Sequence, residues 1–427
     1  MTTHTEATSP TVGYAALVRN NPNFRNLWLG QIVSLLGDWF NLIASAALIG
    51  QLTQSGLAIG SLFVVRMLAP FLISPIAGVV ADRYNRKHIL IVADLIRAAV
   101  VFGFLFVREP GHVWLLYVLT AIQLGLSGFF FPARNAILPD ITRPEELGAA
   151  NALSSTTWSV MLALGAALGG LVSGTWGIYP AFVIDGLTFL LSAFFITQVK
   201  VHWQPSLNAS DKSVAAAVRQ YVDGVRYLRQ HLDVLAVAVQ KAVNSFFLSS
   251  GFQVIQVAIA QDVFPIGEGG GIGLGLMFAV VGVGTGIGPI LARRYTGDDN
   301  RLLKQAIALG YLIGGVGMVI TAPLLNFWTV LLGTAMRSLG GGIIWVFSTQ
   351  LLLQSVPGQV RGRIFASEFA IFYLASAVAS SVVGAGLDTP LGISGVIWWM
   401  AGLSLIPAGL WTFYVFRNGR PAVATSE

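Results

Sequence analysis

The chain has 427 residues, 55% of them hydrophobic and only 10% charged, with a net charge of +6 and a mean hydropathy of +0.73. That composition excludes an ordinary soluble globule. It contains no cysteine, which excludes disulfides and thiolate metal sites, so neither a metal nor a cofactor is expected.

Residues 1–26 read as an N-terminal tail. Their first dozen are polar and Thr-rich, and they lack the basic start, apolar stretch and cleavage site of a signal peptide. Apolar stretches of roughly 20 residues then recur, the length that crosses about 30 Å of hydrocarbon at 1.5 Å per helical residue. Twelve are predicted, over 27–51, 57–80, 88–107, 113–133, 151–174, 178–198, 233–260, 271–292, 304–322, 327–353, 364–386 and 392–416. None shows the alternation of a barrel strand. Glycine-rich stretches such as Gly269–Gly288 would oppose a helix in water, but in lipid small residues let helices approach closely. The fold class is thus an all-α membrane protein.

The basic residues set the expected orientation. With the N-terminus inside, twenty Lys and Arg fall in cytoplasmic segments, one (Arg108) falls outside, and four lie within spans. That asymmetry puts both termini in the cytoplasm of a cell-membrane protein and removes any need for a nucleic-acid partner. Gly78 before the first charged turn has a counterpart in Gly288 before Arg293-Arg294, and Pro139 after the fourth span matches Pro357 after the tenth. The chain therefore divides into two pseudo-symmetric six-helix bundles, 27–199 and 233–416, a linker at 200–232 and a C-terminal tail at 417–427. In the second copy Ala292 stands where Asp82 does. Within the linker, Val214, Val218, Tyr221, Val225, Leu228 and Leu232 form an apolar stripe, which predicts an amphipathic helix at the membrane interface.

Charged residues inside spans are the natural functional candidates. Asp38, Asp94, Asp185, Glu368, Arg66, Arg97, Lys241 and Arg337 each cost about 2.5–3.5 kcal/mol at the bilayer centre, so most must pair or face water. Asp94 and Arg97, three apart on one helix, are expected to neutralise each other, and Asp185 to serve packing or capping. Asp38 lies near mid-membrane on a polar face with Gln31, Ser34, Asn41 and Ser45, and Arg66 sits at similar depth. An Asp38–Arg66 pair that opens when Asp38 takes a proton would couple protons to conformation, with no His available inside a span. Further polar stripes run along the fourth span (Thr120, Gln123, Ser127), the seventh (Lys241, Ser245, Ser249, Gln253, Gln256) and the tenth (Thr334, Arg337, Ser348). Such residues serve either a cavity or helix–helix hydrogen bonds. Trp39, Phe129, Phe130, Phe131, Phe246, Phe247, Trp345 and Phe372 either line a pocket for a bulky apolar ligand or face lipid.

The segment from Gly78 through Asp82, Arg83, Arg86 and Lys87 resembles the loop between the second and third helices of major facilitator superfamily transporters, with Asn85 in place of the second glycine. Asn23 to Trp28, Asp94 to Ala98, Pro132 to Arg134 with Pro139, Glu146-Leu147 with Ala150 to Leu153, and Ile184 to Phe189 resemble the transmembrane secretion effector group of enterobactin exporters and macrolide efflux pumps. The resemblance implies that the first, fourth, seventh and tenth helices line a central cavity. It also implies that Asp82 caps the start of the eleventh span near Gly362–Phe365, with Arg83, Arg86, Arg134 and Glu368 in the same gate. Of the exporter glycine pattern in the fifth span, Gly165, Gly169 and Gly170 are present, but Ala166 replaces the proline.

The expected function is a monomeric secondary exporter exchanging an amphipathic drug, macrolide or siderophore-like molecule for protons; a lipid or lysophospholipid translocator is the alternative. Cavity candidates are Gln31, Ser34, Asn41, Gln123, Ser127, Lys241, Ser245, Arg337 and Trp345. No phosphate-binding Gly-x-x-x-x-Gly-Lys loop and no His-Glu-x-x-His motif occurs, so neither an ATP-driven pump nor a membrane enzyme is expected.

Overall fold

The computed structural model describes residues 13–201 and 214–418, and those residues are helical almost throughout. Among the described residues, twelve helices are long and apolar enough to cross a membrane. We number them span 1 (Pro22–Thr53), span 2 (Gly56–Arg83), span 3 (Arg86–Gly103), span 4 (Val113–Ile141), span 5 (Pro144–Thr175) and span 6 (Ile178–Thr197). The second half holds span 7 (Leu232–Val263), span 8 (Gly271–Thr296), span 9 (Asn300–Thr321), span 10 (Phe327–Ser355), span 11 (Gly358–Leu387) and span 12 (Gly392–Asn418). The expected twelve-helix fold is therefore observed, with ends moved by a few residues because caps, not hydropathy, decide where a helix begins. Asn21 accepts from the Phe24 amide at 2.9 Å ahead of Pro22, Asp299 caps span 9, and Asn326 closes a capping box with Thr329.

Apolar side chains such as Leu72, Ile290, Leu410 and Phe413 cover the outside, whereas polar and charged groups are buried within. Only a hydrocarbon surrounding favours that inversion. Packing repeats between the halves. Span 4 lies on spans 2 and 3 as span 10 lies on 8 and 9; span 6 lies on span 3 as span 12 lies on span 9. Two seams join the bundles, spans 2 with 11 and spans 5 with 8.

The seams are tight at the end away from the basic loops. Gly170 meets Gly275 backbone to backbone and Gly174 meets Gly271, so a Cβ at any of them would clash. Gln261 Nε2 donates to the Ala47 carbonyl at 2.9 Å, tying span 7 to span 1. Asp388, just after span 11, receives the Gly56 and Leu57 amides (2.6 and 3.0 Å) and the Ser55 hydroxyl (2.9 Å), capping span 2 from the opposite bundle.

Residues 1–12, 202–213 and 419–427, which hold most of the expected tails and part of the linker, lie outside the described residues. The rest of the N-terminal segment is structured: Tyr14–Asn20 is a helix whose Leu17 is buried. The linker helix runs Val214–Gln230, with Leu228 buried. Its apolar stripe stops there, because His231 leaves helical geometry and Leu232 starts span 7, exposed. The helix also rests on protein. Ser367 donates to the Tyr221 carbonyl at 3.0 Å, and the Tyr221 hydroxyl reaches Ser74 at 3.1 Å, so it bridges spans 11 and 2.

Candidate functional site

The polar face of span 1 forms the centre of the N-terminal bundle. Gln31, Ser34 and Asn41 are buried, and Asp38 is 26% exposed at a narrow cleft. Gln31, Ser34, Asp38, Arg97, Ser127, Phe130 and Arg134 line that cleft. Arg97 reaches in from span 3 and is 1% exposed. Its Nη2 donates to Asp38 at 2.6 Å, its Nη1 to Ser34 at 3.3 Å and to Asp94 at 3.4 Å, and its guanidinium lies 3.9 Å over the Phe189 ring. Ser192 donates to Asp94 at 2.6 Å.

This arrangement corrects the expected Asp38–Arg66 pair. Asp38 bonds Arg97, because Arg97 emerges on the face of span 3 that packs into the bundle and Phe189 holds it flat. Arg66 forms no hydrogen bond or ion pair among the described residues, although Asp38 and Asp185 are its charged neighbours. Asp94 and Arg97 do meet, but at the longer distance, so Arg97 serves two acids.

Arg134 also departs from its expected place in the gate. It bonds Gln31 Oε1 at 2.6 Å and the Ser154 hydroxyl, inside the cleft and away from the loop. Glu368 departs too: it pairs with Lys241 at 3.0 Å, both almost wholly buried, spanning 7 and 11. The Lys241 ammonium is enclosed by Trp345 (4.9 Å), Phe369 (5.0 Å) and Phe365 (5.6 Å). Arg86 and Lys87 fasten the loop to its own bundle, Arg86 on Asp140 at 2.7 Å and Lys87 on the Thr197 carbonyl at 2.7 Å. Arg83 ends span 2 at an exposed position. The surroundings of Gly78 and the side chain of Asp82 lie outside the described residues, so the expected cap on span 11 does too.

In the C-terminal bundle Arg337 is buried, donates to the Leu248 carbonyl at 2.8 Å and lies 4.2 Å over Phe252. Ser245 bonds Ser250 (2.6 Å) and Ser376 (2.5 Å). The expected stripe along span 7 is interrupted, because Ser245–Ser249 and Ile259–Val263 are π turns that shift the helical register. Gln123 and Thr120 on span 4 are buried with Gln123 Oε1 and Thr120 Oγ1 unpaired.

The aromatic candidates divide. Phe130 and Phe131 line the N-terminal cleft, Trp345 beside Lys241 meets Phe372 edge to face at 5.1 Å, and Trp39 meets Phe278 across the bundles at 6.0 Å. Phe246 and Phe247 instead line an apolar groove with Val382, Val383, Trp399 and Met400, well apart from the charged centre.

The profile described as Major Facilitator Superfamily matches residues 27–239. The chain belongs to that superfamily. It is 28% identical to the MFS-type transporter YfiS of Bacillus subtilis (strain 168), over 93% of this chain and 94% of the relative. It is 25% identical to a Bacillus amyloliquefaciens protein carrying the name of a bacilysin exporter, BacE, over 90% and 93%. It is 23% identical to macrolide efflux protein A of Streptococcus pyogenes, over 82% and 86%. Among solved structures, a mutant nucleoside transporter NupG superposes with a TM-score of 0.75 at 11% identity, covering 92% of this chain and 99% of that one. The peptide transporter POT in complex with sulfate gives 0.70 at 13% identity, covering 97% and 98%. These two establish the fold; the efflux relatives place the chain among transporters of small molecules across a membrane.

Proposed function

We propose that this transporter is a proton-coupled exporter of amphipathic small molecules, working by alternating access in the cell membrane with its basic loops and both termini in the cytoplasm. The observation that carries the reading is the cleft beside Asp38 and Arg97, where a carboxylate, a guanidinium and the Phe130 and Phe131 rings share one surface. Such a lining suits a molecule with an ionised group and an apolar body. The bundles are pressed together at the end away from the basic loops, a closure that suits loading from the cytoplasm. The relatives named for bacilysin and macrolide export supply the substrate class to try first.

Flux of a radiolabelled macrolide and of bacilysin, measured in proteoliposomes with and without an imposed proton gradient, tests this reading. Gradient-accelerated movement of either supports it, and movement blind to the gradient rejects the coupling. A second reading, translocation of lysophospholipid, is favoured by the apolar groove at Phe246, Phe247, Trp399 and Met400. Lys241 does not add to that reading, since Glu368 already neutralises it. A fluorescent lysolipid in the same vesicles separates the two.

A further inference from the structure

Five charged side chains meet inside the N-terminal bundle: Asp38 on span 1, Arg66 on span 2, Asp94 and Arg97 on span 3, and Asp185 on span 6. The charged neighbours of Asp185 are Asp38, Arg97 and Arg66; those of Arg66 are Asp38 and Asp185; those of Asp94 are Arg97 and Asp38. Arg134 lines the same cleft but bonds Gln31 and Ser154, not an acid of this set. Span 5, the other helix against span 6, carries acids only in its first turn at the basic end, Glu145 and Glu146. Three acids therefore face two cations. If all five were ionised, one negative charge would stand uncompensated in the middle of a membrane protein, which a single bound proton avoids.

The three acids are not equivalent. Asp38 has its guanidinium at 2.6 Å and is partly open to the cleft. Asp94 accepts from Ser192 at 2.6 Å and shares Arg97. Asp185 is wholly buried against Gly37 of span 1, where Asn41 is the polar side chain that reaches it and no cation bonds it among the described residues. An ionised carboxylate is the group that least tolerates such a place; a neutral carboxylic acid tolerates it far better.

We propose that Asp185 is the proton-binding site of the transporter, neutral in the conformation closed away from the basic loops. On release, the Asp185 O–H bond breaks and the proton leaves by way of Asp38, the acid of the set that borders the cleft, to water. The carboxylate left behind is neutralised by Arg66, the cation of the set that has no hydrogen bond or ion pair of its own among the described residues. The proposal rests on the proton-coupled reading for its purpose, but not for its test.

Infrared difference spectroscopy on the full-length chain in lipid, at neutral pH, reads the carboxyl directly. The wild type should show the carbonyl band of a protonated acid, Asp185→Asn should lack it, and Asp185→Glu should move it. A wild type without that band, or an Asp185→Asn spectrum that retains it, would overturn the assignment. Should Asp185→Asn not fold, Asp185→Glu serves instead: the band should move, and a band that stays in place overturns the assignment equally. Asn has the shape of the neutral acid, so thermal unfolding of Asp185→Asn should match the wild type; a clear loss of stability would show that the charge was needed. Radiolabelled macrolide flux in the same vesicles tests the purpose separately. If the band disappears in Asp185→Asn while wild-type flux ignores an imposed proton gradient, proton-coupled export fails and the Asp185 site stands.

Discussion

The two bundles share one fold but treat buried charge in opposite ways. In the C-terminal half, Lys241 and Glu368 form a sealed pair at 3.0 Å, wrapped by Trp345, Phe365 and Phe369, and Arg337 rests on a backbone carbonyl. In the N-terminal half, one guanidinium is divided between Asp38 and Asp94, Asp185 has no cation bonded to it among the described residues, and a cleft reaches the edge of the set. A closed, balanced pair holds helices 7 and 11 together in any state. An open, unbalanced set has alternative pairings of similar energy, and a proton or an ionised ligand can choose among them.

Breaking the sealed pair should have the largest effect on stability. Lys241→Met strands Glu368 in an apolar cage, with an expected loss of about 3–5 kcal/mol, whereas Lys241→Met with Glu368→Leu should recover most of it. Thermal unfolding in detergent compares them; equal stability of the single and double variants would refute the sealed pair. In the N-terminal half the effect should fall on transport. Asp38→Asn removes a charge-assisted bond of about 1.5–3 kcal/mol, so flux should drop roughly 10- to 100-fold and the unfolding temperature should fall, but by less than in Lys241→Met.

The comparison extends to the ends of the molecule. Asp388 caps span 2 across the seam, at an exposed position, so Asp388→Asn should weaken closure by about 0.5–2 kcal/mol. The variant should spend more time open at that end, seen as faster labelling of a Ser380→Cys reporter buried in the seam. Unchanged labelling would show that the cap does not hold the gate. Smallest of all, Arg86→Gln should cost less than about 1 kcal/mol in unfolding measurements, because its partner Asp140 is a third exposed and the pair is screened by water.

Hydropathy and charge bias carried the fold, because in lipid the span length and the polar interior are dictated residue by residue. The polar face at Gln31, Ser34, Asp38 and Asn41 was legible for the same reason: its spacing follows from helix geometry alone. The partners were not. Arg66 and Arg97 are equally basic in the sequence, and only the packing of span 3 against Phe189 brings Arg97 onto Asp38. Family resemblance puts Glu368 and Arg134 in the loop gate because it speaks of positions along a chain, while their bonds depend on which way each helix is turned. The π turns at Ser245–Ser249 and Ile259–Val263 have no local sequence mark, so the register of span 7 slips past periodicity. Asp388 belongs to no motif and sits in a short connection, so its cap on span 2 becomes visible only where spans 2 and 11 meet.

The central claim is that the cleft opens alternately to the two sides as the bundles rock about their seams. The chain has no cysteine, so introduced thiols report without background. Ser127→Cys in the cleft should be labelled by a membrane-impermeant reagent from both sides in turn. Joining Ala47→Cys to Gln261→Cys with a short thiol crosslinker should then leave Ser127→Cys reachable only from the side of the basic loops. Labelling from the opposite side that persists in the fully crosslinked protein would contradict the account.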